Sequence, residues 1–249
     1  MIRQLAVAIA FLTRLPMPSR LVFDAQDVGR SMRWFPLIGL MIGGFFVAAL
    51  QLFTLVFPLL VTAFLIAAID ALLTGALHLD GLADTADGFG GGRTREDVLR
   101  IMRDHAIGTY GAVALVLVIA VKAATLAALI DRHRAASWLA LMPMLGRWSV
   151  VLLSATQPYA RRSDQEGAPA GGAVSDFVGR VEVVVASATA LFIAFILASW
   201  RGLAAALLVI ATSGLWGWYC RRRIGGITGD TLGASVEISE VLVLLAGLG

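Results

Sequence analysis

A series of apolar runs, each close to the length of a helix that crosses a lipid bilayer, constrains this chain more than any other feature of its sequence. Crossing a hydrocarbon core of ~30 Å takes about 20 residues of helix. The composition agrees, since 59% of the 249 residues are hydrophobic and only 15% are charged. We predict an all-α, polytopic transmembrane bundle of about seven membrane-spanning or membrane-buried helices, with short interfacial helices, in one domain over residues 1–249. The runs cover residues 34–57, 59–79, 111–130, 137–156, 181–200, 202–220 and 232–249.

The distribution of positive charge between the runs predicts the orientation of the bundle. Cytoplasmic loops carry an excess of Lys and Arg. With the N-terminus in the cytoplasm, only Arg132, Arg134 and Arg201 fall in outer loops. We therefore expect the N-terminus inside. The inner set is Arg3, Arg14, Arg20, Arg30, Arg33, Arg93, Arg95, Arg100, Arg103, Arg161, Arg162, Arg180, Arg221, Arg222 and Arg223.

This orientation places three polar segments on the cytoplasmic face, namely residues 80–110, 157–180 and 221–231. A single site at that face would draw on all three segments. Because the arginines cluster between apolar runs, they indicate cytoplasmic loops and not a nucleic-acid surface.

Three carboxylates stand close together where the second apolar run ends. On a helix, Asp80, Asp84 and Asp87 lie four and three residues apart, so their side chains share one face. Clustered acids repel one another, and oxygen ligands of this kind suit Mg²⁺ or Mn²⁺. The alternative is that the two Asp-Gly pairs only cap helices and form turns. We favour a metal site, carried by the sequence His78-Leu79-Asp80-Gly81-Leu82-Ala83-Asp84-Thr85-Ala86-Asp87-Gly88.

Further candidates flank this cluster. His78 would donate a hydrogen bond to phosphate or orient an aspartate, or it would simply cap a helix end. Asp104 precedes a turn containing Gly108 and Thr109, whose backbone N–H groups would meet an anion at a helix N-terminus. The alternative for Asp104 is a surface ion pair with Arg100, four residues earlier.

A second glycine-rich turn, residues 225–233, lies near the C-terminus. It brings Thr228, Gly229, Asp230 and Thr231 together immediately before an apolar run. The turn lacks the lysine of a P-loop, so the turn alone is a weak sign of phosphate binding. Together with the aspartates expected on the same face, it indicates a second part of one site.

Five ionisable residues lie inside the apolar runs, where charge is costly and by default indicates function. Pairing within the bundle is the structural alternative, with Asp70 held by Lys122 or Arg147. We favour that alternative. The other two residues of the set are Glu237 and Glu240.

Several of these motifs occur in one family, and in the same order. The chain resembles the cobalamin synthase family, the adenosylcobinamide-GDP ribazoletransferases. Residues 131–224 resemble the family mainly in hydropathy. The motifs are Phe11-Leu12-Thr13-Arg14-Leu15-Pro16, Phe35-Pro36-Leu37-Ile38-Gly39, residues 78–88, Met102-Arg103-Asp104 with Gly108-Thr109, and Gly229-Asp230-Thr231-Leu232-Gly233-Ala234.

The resemblance implies a reaction and a membrane. Adenosylcobinamide-GDP and α-ribazole, or its 5′-phosphate, would give adenosylcobalamin, or its 5′-phosphate, and GMP, with Mg²⁺ as cofactor. The enzyme would lie in a bacterial cytoplasmic (inner) membrane, in contact with lipid, with its active site facing the cytoplasm. A homo-oligomer is one assembly that the resemblance allows. The implied residues are Asp80, Asp84 and Asp87 for the metal, Asp104, Asp230 and His78 for catalysis, and Arg103, Gly108, Thr109, Thr228, Gly229 and Thr231 for substrate.

Two other classes of protein remain as alternatives. A phosphotransferase of the CDP-alcohol phosphatidyltransferase type also uses spaced aspartates at a membrane face, but Asp84 stands where that class has an arginine. An ion-coupled transporter would explain the ionisable residues inside the runs. It would not explain why the acid cluster and both glycine turns gather at one surface.

Overall fold

The computed structural model describes residues 2–18, 21–161 and 174–249. Within these ranges the chain is all-α, as predicted, and the one β-type contact is an isolated bridge between Tyr159 and Ile227. The helices are α1 (Ile2–Leu12), α2 (Ala25–Ser31), α3 (Phe35–Phe53), α4 (Leu59–Thr74), α5 (Leu77–Gly91), α6 (Arg95–Ile101), α7 (Thr109–Asp131), α8 (Ala135–Thr156), α9 (Arg180–Ile224) and α10 (Gly229–Ala246).

Part of the predicted cytoplasmic face lies outside the described residues. This applies to Arg20 and Arg162 of the inner arginine set and to residues 162–173 of the loop 157–180.

Helix α8 is the centre of the bundle, and it packs against α3, α9 and α10. Two glycines four residues apart on α3 let the α3 and α8 backbones approach closely. A Cβ at Gly43 would lie 2.6 Å from the Ala140 Cα, and a Cβ at Gly39 would lie 2.6 Å from the Met144 Cα. Most side chains of α8 are buried as a result.

The second predicted run is broken before its expected end. Gly75 (φ 66°) and Ala76 (φ 56°) are both left-handed, which ends α4, and α5 leaves at 93° to it. The prediction of one straight run over residues 59–79 was therefore wrong at its end. The aspartate motif lies on α5, so the helical spacing expected for Asp80, Asp84 and Asp87 is confirmed.

Helix α9 contains a chain reversal. Ala198 and Ser199 have non-helical backbone angles. A Cβ at Gly202 would collide with the Ala194 carbonyl oxygen, whereas an uninterrupted helix separates those residues by about 12 Å. The chain therefore folds back at Ser199 into two helical arms. These arms correspond to the predicted runs 181–200 and 202–220.

Several helices are typical of a multi-pass membrane protein. Among the described residues, four helical segments are long and apolar enough to cross a bilayer, or five if α4 and α5 form one bent span. This count takes α9 as a single segment and omits α10, which carries Asp230, Glu237 and Glu240. The expected total of about seven remains a prediction. Large apolar side chains on α7 and α9, among them Val116 and Phe192, point outward, as in a lipid-facing surface.

Candidate active site

The site forms where α5 crosses α10, at a close contact that glycines permit. A Cβ at Gly81 would lie 2.7 Å from the Asp230 carbonyl oxygen, and a Cβ at Gly233 would lie 3.3 Å from the His78 Cα. Because no side chain separates the helices here, the aspartates of α5 and Asp230 of α10 reach one region. The two motifs that the sequence placed on one face are thus brought together.

The carboxylates form an acidic cluster with one arginine. The charges of Asp80, Asp230 and Asp87 act on the Asp84 carboxylate, and the positive charge of Arg161 opposes them. Asp80 is exposed, whereas Asp84 and Asp230 are half-buried. Four acids facing one guanidinium leave a local excess of negative charge, which a divalent cation would offset.

Arg161 is the functional candidate that sequence reasoning missed. Its Nη2 lies 2.9 Å from the Asp230 Oδ2, and only 12% of the Arg161 side chain is exposed. A short backbone pairing holds Arg161 in place, because Ala160 N–H donates to the Ile227 carbonyl at 2.8 Å and Ile227 N–H donates to the Pro158 carbonyl at 2.9 Å. From the sequence alone, Arg161 was only one of the positive charges that set the orientation. No local sequence pattern predicts the backbone pairing of residues 158–160 with Ile227.

Burial changes the acidity of two groups at this point. It raises the pKa of Asp230 above its ordinary value, although the Arg161 guanidinium and the Thr228 hydroxyl act in the opposite direction. Burial also raises the pKa of the Tyr159 phenol, against the nearby charges of Arg161 and Arg103. Arg103, predicted to bind substrate, is exposed near this edge of the site.

Asp87 lies on the same helix as Asp80 and Asp84 but has a different environment. Its two oxygens accept the N–H groups of Gly108 at 2.7 Å and Gly111 at 2.9 Å. A Cβ at either glycine would collide with this carboxylate. The anion expected at the N-terminus of α7 is therefore Asp87 itself. The Gly108 N–H is already used in this structure, and Asp87 offers a metal only its remaining lone pairs.

The threonines of the second glycine turn form a helix cap. Thr228 N–H donates to Thr231 Oγ1 at 2.8 Å, and Thr231 N–H donates to Thr228 Oγ1 at 3.3 Å. Both residues are fully buried. Both hydroxyls serve the start of α10, and the expected contact of these threonines with substrate stays a prediction. Gly229 is exposed and remains accessible.

Two further predicted site residues lie at the surface, in or next to the turn between α6 and α7. Asp104 and Thr109 are exposed. Asp104 Oδ1 accepts the Ala106 N–H at 3.1 Å, which closes the turn after α6. Arg100, the alternative partner of Asp104, instead lies 3.9 Å from Asp97.

Two further arginines fix the backbone around the acidic cluster. Arg223 donates to the carbonyls of Phe89 at 2.8 Å and Gly92 at 3.0 Å, at the C-terminal end of α5. Arg95 donates to the Ala160 carbonyl at 2.6 Å, next to Arg161. A guanidinium at the carbonyl end of a helix is favourable for its dipole.

The ionisable residues of the apolar runs form a buried network below the site. Lys122 Nζ lies 2.6 Å from Glu237 and 3.8 Å from Asp70, and it also contacts Glu240. Arg147 contacts Glu240 and lies 3.8 Å from Asp70. Asp70 pairs with both Lys122 and Arg147, which confirms the predicted pairing within the bundle.

His78 connects this network to the acidic site. Its Nδ1 lies 3.4 Å from Arg147 Nη2, and its side chain is buried. His78 also lines a cavity beside Asp80. Its partner is an arginine, so this position is not a simple helix cap.

The cavity has a volume of about 280 Å³. Asp80, Asp230 and His78 reach its wall, while most of the remaining lining is apolar, with side chains from α1, α3, α8 and α10. A concave apolar space beside convergent polar groups is the usual form of a small-molecule site.

The chemistry of the donor set around Asp84 suits a hard divalent cation, although among the described residues no three of these carboxylates have oxygens within 4.8 Å of one another. All of its members offer carboxylate oxygen, and Mg²⁺ takes one or two carboxylates together with water and substrate phosphate. Among the described residues, the three acids whose oxygens lie within 4.8 Å of one another are Asp70, Glu237 and Glu240. Lys122 and Arg147 already supply positive charge to that group.

Taken together, the fold and the site define a multi-pass, all-α membrane protein with an acidic cluster beside a cavity. The family model described as "Cobalamin-5-phosphate synthase" matches residues 4–248. The chain belongs to this family, and it is a transferase of cobalamin biosynthesis.

Curated relatives called adenosylcobinamide-GDP ribazoletransferase match the whole chain. The protein of Syntrophobacter fumaroxidans is 40% identical over 96% of this chain and 95% of its own. The protein of Chlorobaculum tepidum is 41% identical over 100% and 96%, and that of Rhizobium etli is 42% identical over 97% and 94%. These relatives do not support the phosphatidyltransferase or transporter alternatives. No solved structure matches the chain.

Proposed function

We propose that this protein joins adenosylcobinamide-GDP to α-ribazole, or to α-ribazole 5′-phosphate, and releases GMP in a Mg²⁺-dependent reaction. The observation that carries the proposal is the convergence of Asp80, Asp84 and Asp230 with Arg161 beside a cavity. Full-length relatives named for this reaction support it.

The reaction is a phosphoryl transfer to a ribose hydroxyl. The hydroxyl oxygen forms a bond to the phosphorus that carries the corrinoid, the bond between that phosphorus and the bridging oxygen breaks, and GMP leaves with the bridging oxygen. Since the proposal allows an acceptor with or without its 5′-phosphate, the attacking group in this proposal is a hydroxyl of the ribose ring. The products are adenosylcobalamin, or its 5′-phosphate, and GMP.

Phosphoryl transfer depends mainly on positioning and on neutralising charge. Asp80 and Asp84 would hold Mg²⁺, with Asp87 fixed behind them by its contacts to α7. When bound, Mg²⁺ supplies Lewis-acid neutralisation of the diphosphate oxygens. Arg161, paired with Asp230, would add positive charge at the edge of the cluster.

One carboxylate must accept the proton of the attacking hydroxyl. Asp230 is the better placed of the two flanking candidates, because it lines the cavity while Asp104 lies in an exposed surface turn. His78 would act as a positioning residue between the cavity and Arg147.

The proposed topology has about seven spans or buried helices in a bacterial inner membrane. The N-terminus and the active site would face the cytoplasm, and the positive charge of the inner loops supports this. Cysteine labelling tests it, since Cys220 is buried and is the one native cysteine. In a Cys220→Ser background, a cysteine at Arg93 should react only with reagents that enter the cytoplasm, and reaction from outside would reverse the orientation.

A turnover assay tests the function. Purified protein with GDP-cobinamide, α-ribazole and saturating Mg²⁺ should release GMP, and Asp84→Asn should abolish release because the variant loses a central carboxylate. Asp131→Asn is the matched control, since Asp131 is exposed at the end of α7. Absence of GMP from the wild-type reaction would reject the function, while normal turnover by Asp84→Asn would reject only the metal assignment.

A further inference from the structure

We propose that the cavity beside the acidic cluster holds the aromatic base of the acceptor nucleoside, with the ribose directed toward Asp80 and Asp230. This assignment rests on the proposed function and adds to it a binding site for one of the two substrates. The apolar wall that carries the argument consists of Phe11, Leu12, Met32, Phe35, Val150 and Leu232.

The size of the cavity favours the acceptor nucleoside over the corrinoid donor as its occupant. The cavity measures about 280 Å³, and sites for drug-sized ligands range from about 300 to 1,000 Å³. A fused bicyclic base with part of its ribose matches a space at the lower edge of that range. A corrin macrocycle with its adenosyl group does not, so the donor must lie outside the cavity and present only its diphosphate.

The apolar character of the cavity wall favours the base of the acceptor over the guanine of the donor as its occupant. The benzimidazole base of α-ribazole has an apolar outer edge, whereas guanine carries donors and acceptors around its edge. Burying such groups against Phe11, Phe35 and Val150 without hydrogen-bond partners is unfavourable. The same wall stabilises a benzimidazole through the area that it buries.

Two aromatic rings of the wall stack on one another. Phe11 and Phe35 stack with ring centroids 6.0 Å apart and an interplanar angle of 19°. Phe35 is fully buried. Phe11 belongs to α1 and Phe35 to α3, so this pair fixes the N-terminal helix over the cavity.

Polar groups stand where the ribose would lie. Asp80, Asp230 and Tyr159 all reach the cavity. Ser175 also lines it, and the buried Ser175 Oγ has no hydrogen-bond partner within the described part of the chain. A nucleoside ribose offers hydroxyls that would satisfy such a group. This arrangement puts the acceptor hydroxyl next to the carboxylates that would take its proton.

A larger and a smaller side chain at Val150 test the assignment of the cavity to the acceptor base. Val150→Phe fills the cavity and should weaken α-ribazole binding about tenfold or more, because single methylene steps in apolar pockets already change binding by such factors. Val150→Ala enlarges the cavity and should admit a bulkier base. Ala155→Phe, at an exposed position on the same helix, is the matched control. Calorimetry with α-ribazole alone measures binding, and steady-state kinetics measures KM for each substrate.

The expected result is a raised KM for α-ribazole in Val150→Phe with an unchanged KM for GDP-cobinamide. A raised KM for GDP-cobinamide alone would assign the cavity to the donor and overturn the proposal. Unchanged α-ribazole binding, with loss of a co-purifying lipid, would overturn it in favour of an acyl chain. If Val150→Phe does not fold, unchanged base selectivity in Val150→Ala is sufficient to reject the assignment.

The two proposals fail separately. If wild-type protein binds α-ribazole in calorimetry but releases no GMP, the proposed reaction fails and the cavity assignment stands. If GMP is released while the Val150 variants leave α-ribazole binding and selectivity unchanged, the reaction stands and the cavity assignment fails.

Discussion

At the scale of single residues, the aspartates of α5 have different environments despite their regular spacing. Asp87 is committed to the N-terminus of α7 through Gly108 and Gly111. Asp80 and Asp84 have no such backbone contacts among the described residues, and they face Asp230 and its partner Arg161. A shared helix face therefore does not imply a shared role, because the neighbouring helices decide which oxygens stay free.

Arg161→Gln should strengthen divalent-cation binding while lowering turnover. Removing one positive charge from an acidic cluster is worth on the order of 1 kcal/mol at partly exposed positions, so the Mg²⁺ concentration for half-maximal activity should fall several-fold. Turnover should fall because the diphosphate loses a counter-charge. The GMP assay measures both effects over a range of Mg²⁺ concentrations.

Arg100→Gln is the control for this prediction, since Arg100 is largely exposed and lies 3.9 Å from Asp97 on α6. It should leave both quantities unchanged. A higher Mg²⁺ requirement in Arg161→Gln would contradict the proposed position of Arg161 beside the metal.

At the scale of elements, α5 is the part of the chain on which the site is built. Its N-terminal half packs on α10 through Gly81, and its C-terminal end is held by Arg223. The bend at Gly75 and Ala76 turns α5 away from α4 and toward α10. Geometry at both ends thus determines where Asp80 and Asp84 stand.

Gly81→Ala should damage both stability and activity. The added Cβ would lie 2.7 Å from the Asp230 carbonyl oxygen, so α5 and α10 must separate. Overpacking of this kind costs about 1–3 kcal/mol. Thermal unfolding in detergent and GMP release measure the two effects.

Gly44→Ala is the matched control, because a Cβ at Gly44 meets nothing within 4 Å. Since alanine is the better helix former, this variant should be slightly more stable, by about 0.5–1 kcal/mol. If Gly81→Ala behaved like Gly44→Ala, the close α5–α10 contact would be incorrect.

At the scale of the whole molecule, sequence patterns predicted the class of fold and the reversal within α9, but not the bend between α4 and α5. Apolar runs indicated an all-α membrane bundle because the bilayer fixes the length of a spanning helix. The break at Gly75 escaped prediction, since hydropathy is continuous across it, whereas the reversal at Ser199 lies where the predicted runs 181–200 and 202–220 meet. The pairing of Lys122 and Arg147 with acids was foreseen because unpaired charge is costly in an apolar interior.

The candidate site was predictable where a motif carries its own chemistry. The aspartates and Asp230 were found from their residue types, and their convergence followed from charge counting in the loops. Arg161 was not found, because its position depends on backbone pairing of residues 158–160 with Ile227. The use of Thr228 and Thr231 as a helix cap was also missed, since the sequence of a glycine-rich turn does not show which of its side chains are buried.

The buried network should hold the bundle together as a unit. Lys122→Met would leave Asp70, Glu237 and Glu240 with Arg147 alone, and removing one partner of a buried ion pair costs about 3–5 kcal/mol. Combining it with Glu237→Gln should restore part of the loss by removing an uncompensated charge. Thermal unfolding of both variants measures this, and an unchanged midpoint in Lys122→Met would show that the network contributes no stability.

The central claim is that the carboxylates around Asp84 bind a divalent cation that holds the diphosphate. Electron paramagnetic resonance of Mn²⁺, titrated into wild-type protein and Asp84→Asn with GDP-cobinamide present, tests it most directly. We predict one class of bound Mn²⁺ in the wild type, with affinity about tenfold or more lower in the variant. Equal binding in the two proteins, or no bound Mn²⁺ in the wild type, would contradict the claim.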